Sequence, residues 1–273
     1  VKLLNGTKNI MCVDKVLEKS KILSILDKNN FFKVPENVSR LRIDIGTSID
    51  APNSAIWLTN SDDVFVIGVE PNPDNIQQLI KRTSPYPNRF MVLSLWDDQI
   101  ILDGHNIKNI GDRFLFLNCA IDNVGEPCFK KFYMTDDVNT GCSSLFEPTE
   151  KLNIKIKNII EVPTLSMQYL LAFVPWHNFE SIEILKIDAQ GKDFDILKSM
   201  GEFLSKIVFL HIETTTFGCY HGACEPIQIR NFLNQNGFKY LFGHVNETYF
   251  NMRFFGNYTE DDFRNIKYEF LDE

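Results

Sequence analysis

Leu41-Arg42-Ile43-Asp44-Ile45-Gly46-Thr47-Ser48 and Val64-Phe65-Val66-Ile67-Gly68-Val69-Glu70-Pro71-Asn72-Pro73 are two apolar runs that each end in an acid, 26 residues apart (44 to 70). Short continuous apolar runs bounded by glycine or proline read as strands buried on both faces, the kind that builds a parallel sheet. A glycine turn follows the first acid at once, and the second acid closes the next strand. That arrangement fits a nucleotide-type cofactor held across the carboxyl ends of a parallel sheet. There the turn lets backbone approach the ligand, and the second acid accepts hydrogen bonds from ribose hydroxyls.

Working outward, the pattern alternates. An amphipathic helix is expected over 14–27, a helix over 53–59 after Pro52, and another from Pro73 to about Arg82. Strands are expected at 89–95, 113–119, 127–134 and 159–162, with a helix over 166–173. A polar stretch over 97–112 reads as an insertion with hairpin character, and 136–150 as an ordered loop. A strongly apolar strand, 181–188, precedes a helix over 192–200. A strand follows at 207–212, and then a helix from Pro226 to Asn236 with Gly237 placed to end it. Two closing strands, 238–242 and 247–255, have no helix between them. The expected architecture is α/β: a doubly wound, Rossmann-like, seven-stranded and mostly parallel sheet with one antiparallel strand near an edge. One domain over 1–273 is the simplest division, with a helical extension over 1–39.

The chain has 273 residues, 44% hydrophobic content and 23 Phe, enough for a large core. A net charge of −8 argues against a nucleic-acid partner, which needs a basic face. No apolar run reaches the length of a membrane span. The first 30 residues are charged and lack a signal-peptide core. The six scattered Cys read as reduced thiols, most of them packing as small hydrophobes. Together these predict a cytoplasmic location. Oligomeric state is not legible.

The turn Asp44-Ile45-Gly46-Thr47-Ser48 departs from G-x-G-x-x-G: Ser48 replaces the second glycine and Asp50 stands near the third position. A pyrophosphate resents a nearby carboxylate, so nicotinamide and flavin dinucleotides are disfavoured. The ammonium group of S-adenosylmethionine suits an acid there. A structural strand-to-helix turn is the alternative. Glu70, stiffened by Pro71 and Pro73, points into the crevice with Asn72 beside it. Ala120, Ile121 and Asp122 follow a strand that should lie beside the Glu70 strand; they either border an adenine or form an ordinary strand end. Asp188 ends the Lys186-Ile187-Asp188 strand, where a carboxylate can hold the cofactor's amino group, orient a hydroxyl or act as general base. His211 and Glu213 end the neighbouring strand and face the same pocket. The set His211, Glu213, Cys219, His221 and Cys224 lacks the P-C-x-x-C element of a zinc deaminase, and no metal is expected.

Three segments carry a resemblance to FkbM-type methyltransferases of the class I S-adenosylmethionine-dependent fold. They are Asp44-Ile45-Gly46-Thr47-Ser48-Ile49-Asp50, Glu70-Pro71-Asn72-Pro73 and Lys186-Ile187-Asp188-Ala189-Gln190-Gly191. Gly141-Cys142-Ser143-Ser144-Leu145 resembles a Ser-Ser-Leu segment common in that family, and the two-strand ending favours the methyltransferase version of the doubly wound fold. The resemblance spans roughly residues 40 to 245. It departs at two places: Asp50 stands where the family usually has glycine, and Gln190 where it has glutamate.

The resemblance implies S-adenosylmethionine as cofactor, held by Asp44, Gly46, Thr47, Ser48, Asp50, Glu70, Pro71, Asn72, Ala120, Ile121, Asp122 and Asp188. It implies methylation of a hydroxyl on a small molecule or glycan, with Asp188, His211 and Glu213 as the catalytic candidates. Asp50 and Gln190 motivate a competing expectation, a methyltransferase-fold binding protein without activity. A nicotinamide-dependent dehydrogenase is a third, disfavoured by the missing glycines.

Overall fold

Alternation of buried side chains sorts the central strands onto two faces. The computed structural model describes residues 7–81, 99–102, 105–108, 113–136 and 140–270. Strands β1 (Arg40–Ile45), β2 (Val64–Val69), β3 (Gln99–Leu102), β4 (His105–Lys108), β5 (Phe114–Leu117), β6 (Ala120–Ile121), β7 (Cys128–Thr135) and β8 (Ile156–Leu165) come first. Strands β9 (Ile182–Ile187), β10 (Ile207–Glu213), β11 (Phe238–Phe242) and β12 (Asn246–Asn251) complete the set. The main sheet has the order β11-β12-β10-β9-β1-β2-β5. β5, β2, β1, β9 and β10 run parallel. β12 runs antiparallel to both β10 and β11, second from the edge. The sheet is therefore the expected seven-stranded, mostly parallel one.

On one face Phe65, Ile67, Leu185, Ile187 and Leu210 form the larger core. They pack with Val16 and Leu17 of helix α1 (Thr7–Lys19) and with residues from the later helices. On the other face Val64, Val66, Ile184 and Val208 pack with Ala55, Trp57 and Leu58 of helix α2 (Pro52–Asn60), and with Leu79 of helix α3 (Pro73–Lys81). Ile266 and Phe270 close this second core. Arg42 is buried beside it. Its guanidinium pairs with Glu183 (2.7 Å) and Glu269 (2.6 Å) and lies over the Trp57 ring, as a buried charge must.

The remaining helices are α4 (Met167–Leu171), α5 (Asp193–Lys198), α6 (Pro226–Gln235) and α7 (Glu260–Asn265). α6 begins with proline and a reciprocal Glu225–Gln228 capping box, and Gly237 follows it at φ 81°. A second sheet, β6-β8-β7, stands beside the first, and β3 pairs antiparallel with β4.

Boundaries differ from expectation at three places. α1 ends at Lys19 because Lys21 turns left-handed (φ 64°); Ile22–Ile25 continue as a 3₁₀ turn, not as the same helix. β8 starts earlier than expected because pairing with β7, not an apolar pattern, makes its exposed first half a strand. β12 stops at Asn251, whose side chain accepts from Arg253 N and caps a 3₁₀ turn. The strand expected over 89–95 lies outside the described residues. No helix is long and apolar enough to cross a membrane among the described residues.

Candidate functional site

A cavity of about 530 Å³ opens at the carboxyl ends of β1, β2, β5 and β9, where doubly wound sheets bind ligands. Its floor begins at the turn after β1. Gly46 adopts φ 81°, and a Cβ there would lie 1.9 Å from the Asp188 carbonyl oxygen, so the turn can nest on β9 only as glycine. The turn's N–H groups are already used: Gly46 N donates to Val69 O (2.9 Å), Thr47 N to Val69 O (3.3 Å) and Ser48 N to Glu70 Oε2 (2.9 Å). Backbone N–H groups engaged in this way do not form a pyrophosphate cradle, which removes the structural basis for a dinucleotide at this turn.

Glu70 is buried, and its other oxygen accepts from Asn72 N (2.8 Å). Burial pushes its carboxyl up to about 7, against the opposing pull of the Asn72 and Ser48 N–H groups. The Asn75 side-chain amide also donates to this carboxylate, so three donors on two oxygens leave one lone pair for a ligand donor. Three further oxygens in the wall, Thr47 Oγ1, Asn53 Oδ1 and Asn75 Oδ1, are buried with no hydrogen-bond partner among the described residues. Buried polar atoms are normally satisfied, so the wall suits a ligand that brings hydroxyl or ammonium donors. Ala120, Ile121, Phe132 and Leu145 supply an apolar side.

At the opposite wall Lys186 Nζ donates to Gly46 O (2.8 Å). It pairs with Asp44 Oδ1 (3.4 Å) and lies 3.7 Å from Asp188 Oδ2. Asp188 Oδ1 accepts from Gln190 Nε2 (2.8 Å), and the same amide nitrogen donates to Glu213 Oε2 (3.1 Å). Gln190 holds a left-handed backbone (φ 53°), which costs a non-glycine residue roughly 1–2 kcal/mol. Burial first, then Asp188 and Asp193, raise the Glu213 carboxyl well above the ordinary range. His211 lines the cavity. Burial, then the Lys186 charge, lower it to about 3, so its imidazole is neutral at physiological pH. Its Nδ1 meets Thr248 Oγ1 at 2.9 Å and its ring stacks on Phe270 at 3.9 Å.

Of the residues singled out from sequence, Gly46, Thr47, Ser48, Asp50, Glu70, Pro71, Ala120, Ile121, Asp188 and His211 share this cavity. Asp44, Asn72, Asp122 and Glu213 are not in its wall. Asp44 is buried behind the turn, accepting from Ser54 Oγ (2.7 Å) at the start of α2. Asn72 caps α3 by accepting from Asp74 N (3.0 Å). Asp122 is turned to Lys130 (2.6 Å) and Lys192 (3.2 Å). Glu213 reaches the site through Gln190.

Sequence reasoning gave no role to Lys186, Lys192, Asn75 or Tyr220. Lys186 stood in plain view two residues before Asp188, in the same strand and so on the same face. Tyr220 carries no local signal. Among the described residues Cys119, Cys142, Cys219 and Cys224 are free thiols. Among the described residues no three His, Cys, Asp or Glu side chains converge to hold a metal ion.

The profile described as "Methyltransferase FkbM domain" matches residues 44–240, which takes in both acids, Asp44 and Glu70, and the Asp188 strand. No curated protein matches the sequence. Among solved structures, the chain is similar to the crystal structure of Methyltransferase FkbM from Methylobacillus flagellatus KT. Identity is 11% and the TM-score 0.43, with 89% of this chain and 59% of that one covered.

Proposed function

The chain belongs to the FkbM methyltransferase family, and we propose that it transfers a methyl group from S-adenosylmethionine to a hydroxyl oxygen of a small molecule or glycan. One observation carries this reading: the glycine turn, Glu70 and Asp188 face a single cavity. Glu70 and Asn75 accept from the ribose hydroxyls, while Ala120 and Ile121 pack on the adenine. The methionine end, with its ammonium group, suits Ser48, Asp50, Asn53 and Asp188; Asp44 acts from behind by fixing Lys186 and Ser54. Bound there, the cofactor supplies an electrophilic methyl carbon for in-line displacement. Much of the rate then comes from holding the acceptor oxygen in line. Asp188, partly exposed at the cavity wall, accepts the hydroxyl proton or orients it, while neutral His211 and Phe270 shape the acceptor side. We place this reaction in the cytoplasm.

Calorimetry tests the reading directly. S-adenosylmethionine should bind the wild-type protein, and Glu70→Ala should weaken it at least about tenfold. Absence of binding at millimolar cofactor would instead favour a methyltransferase-fold protein without activity, the reading that Asp50 and Gln190 motivate.

A further inference from the structure

Gln190 joins three loops above the end of β9. Its Nε2 donates to Asp188 Oδ1 (2.8 Å) and Glu213 Oε2 (3.1 Å), and its Oε1 accepts from the Tyr220 hydroxyl (2.8 Å). Its backbone carbonyl accepts from Ser144 Oγ (2.7 Å), and the Tyr220 hydroxyl also lies 2.8 Å from the Cys142 carbonyl. The side chain is thus fixed at both ends. Side chain and backbone together reach Asp188, Glu213, the Tyr220 loop and, through Ser144, the loop whose Gly141, Ser143 and Leu145 line the cavity.

We propose that Gln190 is a positioning residue: its amide holds Asp188 and Glu213 side by side and ties that carboxyl pair to the Tyr220 loop. This deepens the reading of Asp188 as the group facing the acceptor, and it rests on that reading. Two carboxyl groups gathered in a buried place repel unless a donor, a proton or a cation lies between them. An amide supplies the donor without adding charge. The glutamate usual in the family would make a third carboxyl at the same spot. Lys186 of β9, Asp193 of α5 and His211 of β10 also face the pair, as do Tyr220, Cys142 and Cys219 from these two loops. Within this set Lys186 carries the positive charge, and Gly46 O and Asp44 already engage it.

The test is a ¹³C-carboxyl NMR titration of the full chain, with Asp188 and Glu213 assigned through Asp188→Asn and Glu213→Gln. Gln190→Met keeps the length and removes the donor, so the Glu213 midpoint, already raised by burial and by Asp188, should rise further, by about one unit or more. Gln190→Glu should raise it further, since it adds charge as well. Tyr220→Phe should give a smaller rise in the same direction and still reports if either Gln190 variant fails to fold. Glu213 midpoints within about 0.3 unit of wild type in the folded variants would overturn the proposal. Cofactor affinity is measured on the same samples. Carboxyl shifts without any cofactor binding would retain Gln190's role while sinking the methyltransferase reading.

Discussion

Gly46 and Asp188 touch across the cavity floor so closely that a Cβ on Gly46 would fall 1.9 Å from the Asp188 carbonyl oxygen. The contact locks the turn after β1 to the end of β9, and Lys186 reinforces it by donating to Gly46 O (2.8 Å). Gly46→Ala must move the backbone of one strand end or the other, in a left-handed conformation that alanine resists. We expect a loss of roughly 3 kcal/mol or more by chemical denaturation. Cofactor affinity should fall with it.

Glu70 makes cofactor affinity depend on pH. Its carboxyl sits at about 7 instead of 4.5 because burial penalises the charge. In the free protein it is therefore protonated below pH 7, whereas ribose hydroxyls donate to the ionised form. Affinity for S-adenosylmethionine should fall about tenfold between pH 7.5 and pH 6. In Glu70→Gln it should be weaker and nearly flat over that range. The same shift means that the free protein loses stability as pH rises from 4.5 through about 7. Isothermal titrations at four pH values settle the matter; an equally flat wild type would remove Glu70 from the ribose.

Those strand ends were legible because the physics that places them is local. The run at 64–69 has no charged residue, those at 41–45 and 182–187 are interrupted only by Arg42 and Asp44 and by Glu183 and Lys186, and glycine, proline or acid marks where each stops. α1 was misplaced because Ile22 and Ile25 extend its apolar spacing, although the backbone breaks at Lys21. The walls of the site were less legible. Gln190 meets Tyr220 thirty residues on, and Lys192 meets Asp122 seventy residues back; neither pair leaves a periodic trace. Asp122 shows the cost: read as a cofactor border, it is occupied by two lysines that fold back from β7 and from the start of α5.

Asp188→Asn separates chemistry from folding. The side chain is a quarter exposed, and its Oδ1 bond to Gln190 survives in an amide. Stability should change by less than about 1 kcal/mol. Turnover should fall about 100-fold or more if Asp188 takes the acceptor proton. Methyl transfer to hydroxyl-bearing acceptors, measured beside a thermal melt, checks both halves. Full activity in Asp188→Asn would leave Asp188 as an orienting group only.

His211 should cost the protein stability in acid. Its folded value is about 3, against 6.5 ordinarily, because burial and the Lys186 charge oppose protonation. A histidine lowered in the folded state contributes stability that is present above 6.5 and lost as pH falls toward 3. The unfolded chain takes up a proton that the native imidazole, stacked on Phe270 and bonded to Thr248, refuses. Between pH 7.5 and pH 5 the wild type should lose about 2 kcal/mol more than His211→Gln. Taking the difference between the two proteins cancels the opposite contributions of Glu70 and Asp193, whose carboxyls are both raised to about 7. Urea denaturation at the two pH values reads it, and equal losses would show that His211 is protonated in the native state. The same neutrality bears on catalysis: a pH–rate limb near 7 should persist in His211→Gln, because Glu70 and not this imidazole titrates there.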